Sequence, residues 1–196
     1  MDQVPDALNL LTALPSPVAA VIREFRACEF STLTKDGTPI TWPVATLYLP
    51  DQARFLLTTS IGFSQKALHI RRNPHVALLF SDPTGSGLEN PPAVLIQGDA
   101  VVSDEVVTSM DGVAREYWRD TIFRRQPATE MISGNFLMRR FMDWYYMRLL
   151  IFVTPRALYW WSEGDISPLR FHPSPIRSMP LWAIRWSCWV MILIEM

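Results

Sequence analysis

The stretch Leu57-Thr58-Thr59-Ser60-Ile61-Gly62-Phe63-Ser64-Gln65-Lys66 gathers the residue types in this chain best suited to chemistry. A strand end delivers the Thr58 and Thr59 hydroxyls, a loop containing Gly62 follows, and Ser64 opens a helix with Lys66 two residues on. The free N–H groups and positive dipole at a helix start favour anions. The hydroxyls of Thr58, Thr59 and Ser64 and the Lys66 ammonium can converge on one phosphate, which lysine serves as a point charge. The same residues also suit an ordinary N-cap beside a solvated lysine. The stretch alone leaves both readings open, and it lacks the GxxxxGK[ST] pattern of a P-loop.

Other chemistries find less support. His69, His75 and His172 show no metal-ligand spacing, and no cluster of acids or cysteines supports them. Cys28 and Cys188 lie far apart, form neither a disulfide framework nor a metal motif, and are expected to be reduced. No nucleophile-elbow pattern joins a serine to a histidine and an acid, so hydrolysis is unsupported.

The elements that position these groups read mostly as strands. Ser16-Pro17 starts a short amphipathic helix, ending near Arg26, with Val18, Val21, Ile22 and Phe25 on one face. Residues 28–34 alternate as a strand, and Lys35-Asp36-Gly37-Thr38 is a hairpin turn of the Asp-Gly kind. Residues 39–49 read as one return strand and residues 54–59 as a third, a three-stranded meander. A short helix with Ala67, Leu68, Ile70 and Arg71 is stopped by Asn73-Pro74. Residues 75–81 and 93–102 are strands separated by a loop rich in glycine and proline. Asp104 is expected to cap a helix carrying Val107, Met110, Val113, Ala114 and Tyr117, and residues 121–134 are expected to be irregular. Residues 145–154 and 157–161 read as two strands joined by a turn at Pro155. Six or seven strands with two or three short helices indicate a closed antiparallel barrel rather than alternating βαβ units.

The order of motifs is informative beyond any one of them. Pro39-Ile40-Thr41-Trp42-Pro43-Val44 is followed by Thr58-Thr59, Ser64-Gln65-Lys66, Asn73-Pro74-His75-Val76-Ala77-Leu78-Leu79-Phe80, and Ile96-Gln97-Gly98-Asp99-Ala100. This succession resembles the pyridoxamine 5′-phosphate oxidase-like, FMN-binding split-barrel family over about residues 28–103. A weaker echo runs through residues 144–151 and the strand ending Trp160-Trp161. The resemblance implies a mainly β fold with short α-helices, a split β-barrel of six to seven antiparallel strands. It implies a homodimer with two cofactors at the subunit interface and residues of the partner closing each site. Thr41, Trp42, Pro43 and Val44 would lie along the flavin ring. Thr58, Thr59, Ser64, Gln65 and Lys66 would bind the ribityl phosphate.

The implied activity is that of an FMN-dependent oxidoreductase acting on an unidentified small molecule, with NAD(P)H a candidate electron donor. Alternatives within the same fold are a deazaflavin-dependent reductase and a non-catalytic flavin- or heme-binding dimeric module. Basic residues of true pyridoxamine phosphate oxidases are replaced here by Trp42, Leu47 and Gln65, and a glutamine by Ala93. These departures argue against a substrate phosphate and against vitamin B6 oxidation. Trp42 suits either a stack on the flavin or packing at the dimer interface. The basic pairs Arg71-Arg72, Arg124-Arg125 and Arg139-Arg140 suit solvated surface or help for an anion, and Arg148 suits a carboxylate across the interface.

Composition sets the frame. The chain has 196 residues and net charge −1, with 49% hydrophobic and only 19% charged residues, which excludes disorder and a global basic field for nucleic acid. Eight tryptophans in so weakly charged a chain point to a large core or to apolar surface that a partner covers. Of 18 basic residues only Lys35 and Lys66 are lysines, and Lys66 falls where the phosphate would lie. Residues 1–178 are expected to form the barrel domain with its N-terminal helix, and residues 179–196 an apolar, Trp-rich tail. The run 181–194 is shorter than the ~20 apolar residues of a span and carries Arg185, so no transmembrane span is expected. The tail suits docking on the body or lying at a membrane surface. The acidic start Met1-Asp2-Gln3-Val4-Pro5-Asp6 lacks the design of a signal peptide, and a cytoplasmic location is expected.

Overall fold

A computed structural model describes residues 14–108, 112–123 and 147–162 of the chain. Its strands are β1 (Cys28–Leu33), β2 (Pro39–Val44), β3 (Leu47–Leu49), β4 (Arg54–Ser60), β5 (His75–Phe80), β6 (Ala93–Val102) and β7 (Arg148–Trp161). Its helices are α1 (Ser16–Glu24), α2 (Gln65–Arg72) and α3 (Gly112–Tyr117), the last running into a π-helical turn at Trp118–Phe123. All seven strands join one antiparallel sheet in the order β2-β1-β5-β6-β7-β4-β3.

That order shows how the barrel is split. Residues 39–49 do not form one strand, and the expected meander and closed barrel are corrected accordingly. β2 pairs with β1 from Cys28↔Val44 to Leu33↔Pro39, whereas β3 pairs with β4. The strands lie at opposite ends of the sheet order and are joined by Ala45 and Thr46 alone. These two link residues are buried and bonded elsewhere: the Tyr117 hydroxyl donates to the Ala45 carbonyl at 3.0 Å, and Cys28 Sγ lies 3.9 Å from Thr46 Oγ1.

Two further expectations are corrected. Residues 148–161 form one strand, not two, with Pro155 inside it. Gly98 faces Pro155 while Gln97 faces Ala157, so Arg156 is the extra residue of a bulge. A bulge tolerates a proline because the ladder is already interrupted there. Nor does Asp104 start a helix. Val107 exchanges both backbone hydrogen bonds with Arg148, at 2.8 and 3.0 Å, and those groups are then not available to a helix. Helix α3 starts later, at Gly112, and the π-helical turn takes up residues 118–123 of a region expected to be irregular from residue 121. The N-terminal helix begins one residue early, with Pro15 as N-cap and Ser16 inside it.

The main core lies inside the barrel. Alternate residues from each strand meet there, among them Phe30, Phe55, Leu57, Leu78, Phe80, Ile96, Ile151 and Val153, and α1 adds Val18, Val21 and Ile22. A second, smaller core lies on the outer face of β4 and β7, where Tyr117, Trp118 and Ile122 cover Ala45, Leu49, Leu56 and Leu150. β4 is thus buried on both faces, which is why its sequence does not alternate. Among the described residues no helix is long and apolar enough to cross a membrane. The boundary at residue 178, the Trp-rich tail, Arg124-Arg125 and Arg139-Arg140 lie outside the described residues.

Candidate functional site

The site is built where β4 ends and α2 begins. Three bonds tighten this connection: the Thr59 hydroxyl donates to the Phe63 carbonyl at 2.9 Å, the Gly62 N–H to Ser60 Oγ at 3.4 Å, and the Ile61 N–H to the Met147 carbonyl at 3.2 Å. They shape the 3-10 turn Ile61–Phe63 and fix the start of α2, on which Lys66 sits. At its other end α2 is closed by the Asn73 N–H on the His69 carbonyl at 2.8 Å, with Pro74 following.

Two cations meet here. The Lys66 ammonium lies over the Trp42 indole, 5.0 Å from its centroid. Its pKa is held below the ordinary lysine value, first by burial and then by the positive charge of Arg148. Among the described residues no carboxylate pairs with Lys66. Arg148 opens β7 opposite Ser60. Its backbone is clamped by Val107, its guanidinium donates to Thr58 Oγ1 at 3.1 Å, and it stacks over the Trp118 ring at 5.2 Å. The strand end that carries Thr58 thus lies beside the Arg148 guanidinium, whose positive charge is also felt at Lys66.

The sequence-derived residues divide clearly. Trp42 and Lys66 are in contact, and Thr58 is drawn into the same region through Arg148. Consecutive strand residues face opposite sides, so Thr58 points toward the smaller core and Thr59 toward the barrel interior, where its hydroxyl holds the turn. Ser64 is the N-cap residue of α2, but its side chain makes no capping bond, and Gln65 is exposed. Thr41 and Pro43 are exposed on the face of β2 opposite Trp42, with Thr41 Oγ1 2.7 Å from Ser31 Oγ. Val44 packs against the core. Two residues were missed as site members. Arg148 reaches Thr58 across 90 positions of sequence, and the buried His69 ring lies 5.7 Å from the Trp42 ring. Only the β4–β7 pairing and the packing of α2 on β1 and β2 bring them in, and no local pattern signals either.

A sequence profile described as pyridoxamine 5′-phosphate oxidase matches residues 14–147, well over half of the chain. The chain belongs to this family. Its fold agrees with the family's split barrels among solved structures. One is a Clostridium acetobutylicum protein related to general stress protein 26 and described as of the pyridoxinephosphate oxidase family. It has a TM-score of 0.53 and 12% identity, covering 84% of this chain and 94% of its own. General stress protein 26 of Bacillus anthracis has a TM-score of 0.50 and 16% identity, covering 79% and 97%. HutZ, the heme storage protein of Vibrio cholerae, also scores 0.50, at 15% identity, covering 74% and 93%. At these identities the likeness shows the fold alone. No curated protein sequence matches the chain.

Proposed function

We propose that this family member is a homodimeric FMN-dependent oxidoreductase whose small-molecule substrate is not pyridoxamine phosphate. The observation that carries the reading is the half-buried Lys66, which has no carboxylate partner among the described residues and feels a second cation, Arg148, beside Thr58. A phosphate monoester fits that charge and donor set, and a neutral ligand does not. Lys66, Arg148 and the Thr58 hydroxyl bind the phosphate, with Ser64 and Gln65 at the rim. The β2 segment Thr41, Trp42, Pro43 and Val44 borders the remainder of the cofactor. When bound, the flavin supplies the electron-transfer chemistry, and the chain supplies binding, orientation and shielding from water. Trp42, Leu47, Gln65 and Ala93 stand where the oxidases that use a phosphorylated substrate carry basic groups or a glutamine, which argues for a different substrate.

The test is the absorption spectrum of the purified protein, followed by titrations with FMN, riboflavin, a deazaflavin and heme. FMN is expected to bind more tightly than riboflavin. Lys66→Met is expected to weaken FMN about 10- to 100-fold, the scale of a lost charge-assisted hydrogen bond. Riboflavin binding should be left nearly unchanged. A protein that takes up none of the four, or prefers the deazaflavin or heme, overturns this choice of cofactor.

A further inference from the structure

His69 is buried, yet nothing in the proposed chemistry uses it. It lies three residues after Lys66 on α2, and residues so spaced share a helix face. Both side chains turn to the same indole: Lys66 Nζ lies 5.0 Å from the Trp42 centroid, and the His69 ring centroid lies 5.7 Å away with its plane tilted by 44°. His69 Nδ1 is also 2.9 Å from Thr32 Oγ1, and this buried pair ties α2 to β1. Thr32 lies on the strand that pairs with β2, two residues from Phe30, whose register partner is Trp42. Three elements, β1, β2 and α2, are therefore pinned together at one ring.

We infer that His69 is a positioning residue: anchored by Thr32, it fixes the Trp42 indole, and through that ring the Lys66 ammonium, in place for an anionic ligand. This inference rests on the proposed phosphate site. A lysine side chain carries much rotamer freedom, and holding it before the ligand arrives lowers the ordering cost of binding. An aromatic face does this without neutralising the charge, whereas a carboxylate would compete with the ligand. The Thr32–His69 bond controls where that face stands. Its loss should therefore weaken the phosphate's share of binding more than that of the rest of the ligand, which Trp42 also borders.

The experiment measures the ratio of riboflavin to FMN dissociation constants in the full-length protein, with thermal midpoints in parallel. Thr32→Val and His69→Phe break the bond from either side while keeping most of the side-chain volume, and Thr32→Ser retains the hydroxyl. Both breaking variants are expected to lower the ratio about fivefold, the scale of one net hydrogen bond, and Thr32→Ser to restore it. Trp42→Leu, which removes the aromatic face, should lower it at least as far. If His69→Phe does not fold, Thr32→Val decides. An unchanged ratio in Thr32→Val or Trp42→Leu, including one that comes from an equal loss of both ligands, overturns the inference. If the wild-type protein has no preference for FMN over riboflavin, it is the phosphate site that fails.

Discussion

Gly98→Ala tests whether the β6–β7 junction is as tight as the structure makes it. Gly98 sits opposite Pro155 at the bulge, where β7 carries one residue more than β6. A Cβ added there would overlap the Thr154 carbonyl oxygen and stand 3.1 Å from both the Thr154 carbonyl carbon and Val153 Cγ1. Two of those atoms belong to the backbone of a paired central strand, and Val153 is fully buried, so no flexible side chain can yield. Overpacking of this kind costs about 1–3 kcal/mol, and an unyielding backbone favours the upper part of the range. For a chain of this size the melting temperature should fall by roughly 5–10 °C. Gly62→Ala is the control: its new Cβ would meet only Ser60 Oγ, at 3.8 Å, and its φ is not positive. It should be neutral or stabilising by up to about 1 kcal/mol. Both variants are compared by calorimetry and by urea titration. A Gly98→Ala protein melting within about 1 °C of wild type would show that the junction relaxes and would refute the packing argument.

The lowered pKa of Lys66 gives a signed pH dependence. An anion binds the protonated ammonium, so above the phosphate's own second pKa of about 6 the FMN affinity should stay level up to the pKa of the ligand-free site and fall as pH rises through it. Lys66→Arg, which stays charged, should remove that fall, and binding isotherms at a series of alkaline pH values check it. In the ligand-free protein the same shift destabilises the fold while Lys66 is charged. Stability should therefore recover, relative to Lys66→Met, as pH rises toward 10.5. Tyr117→Phe removes the donor to the buried Ala45 carbonyl and should cost about 1–2 kcal/mol in denaturant titrations.

Much of the fold was legible because its signals are local. The Asp36-Gly37 turn, the Asn73-Pro74 stop and the 93–102 strand all stand where residue chemistry puts them. The errors share a cause: each depends on what a distant strand does. Residues 39–49 have strand composition throughout, and nothing local says that the chain leaves one edge of the sheet at Ala45 and joins the other at Leu47. Pro155 reads as a turn until β6 is seen to accommodate it with a bulge. Val107 reads as helical until Arg148 takes its backbone bonds. The site shows the same division. Lys66 was legible as a lysine just inside a helix. Arg148 and His69 were not, because their roles arise from sheet pairing and from the packing of α2 on its neighbours.

The split in the barrel also bears on how the protein avoids sticking to its own kind. Among the described residues no strand pairs with the outer edge of β2 or of β3, and an unpaired strand edge is a ready template for aggregation. Both are blunted, by different means. β2 carries Pro39 and Pro43, which have no N–H to offer an incoming strand, and β3 is only three residues long. The prolines of β2 are thus its protection, and replacing them with valines would leave an edge open to amyloid-like growth.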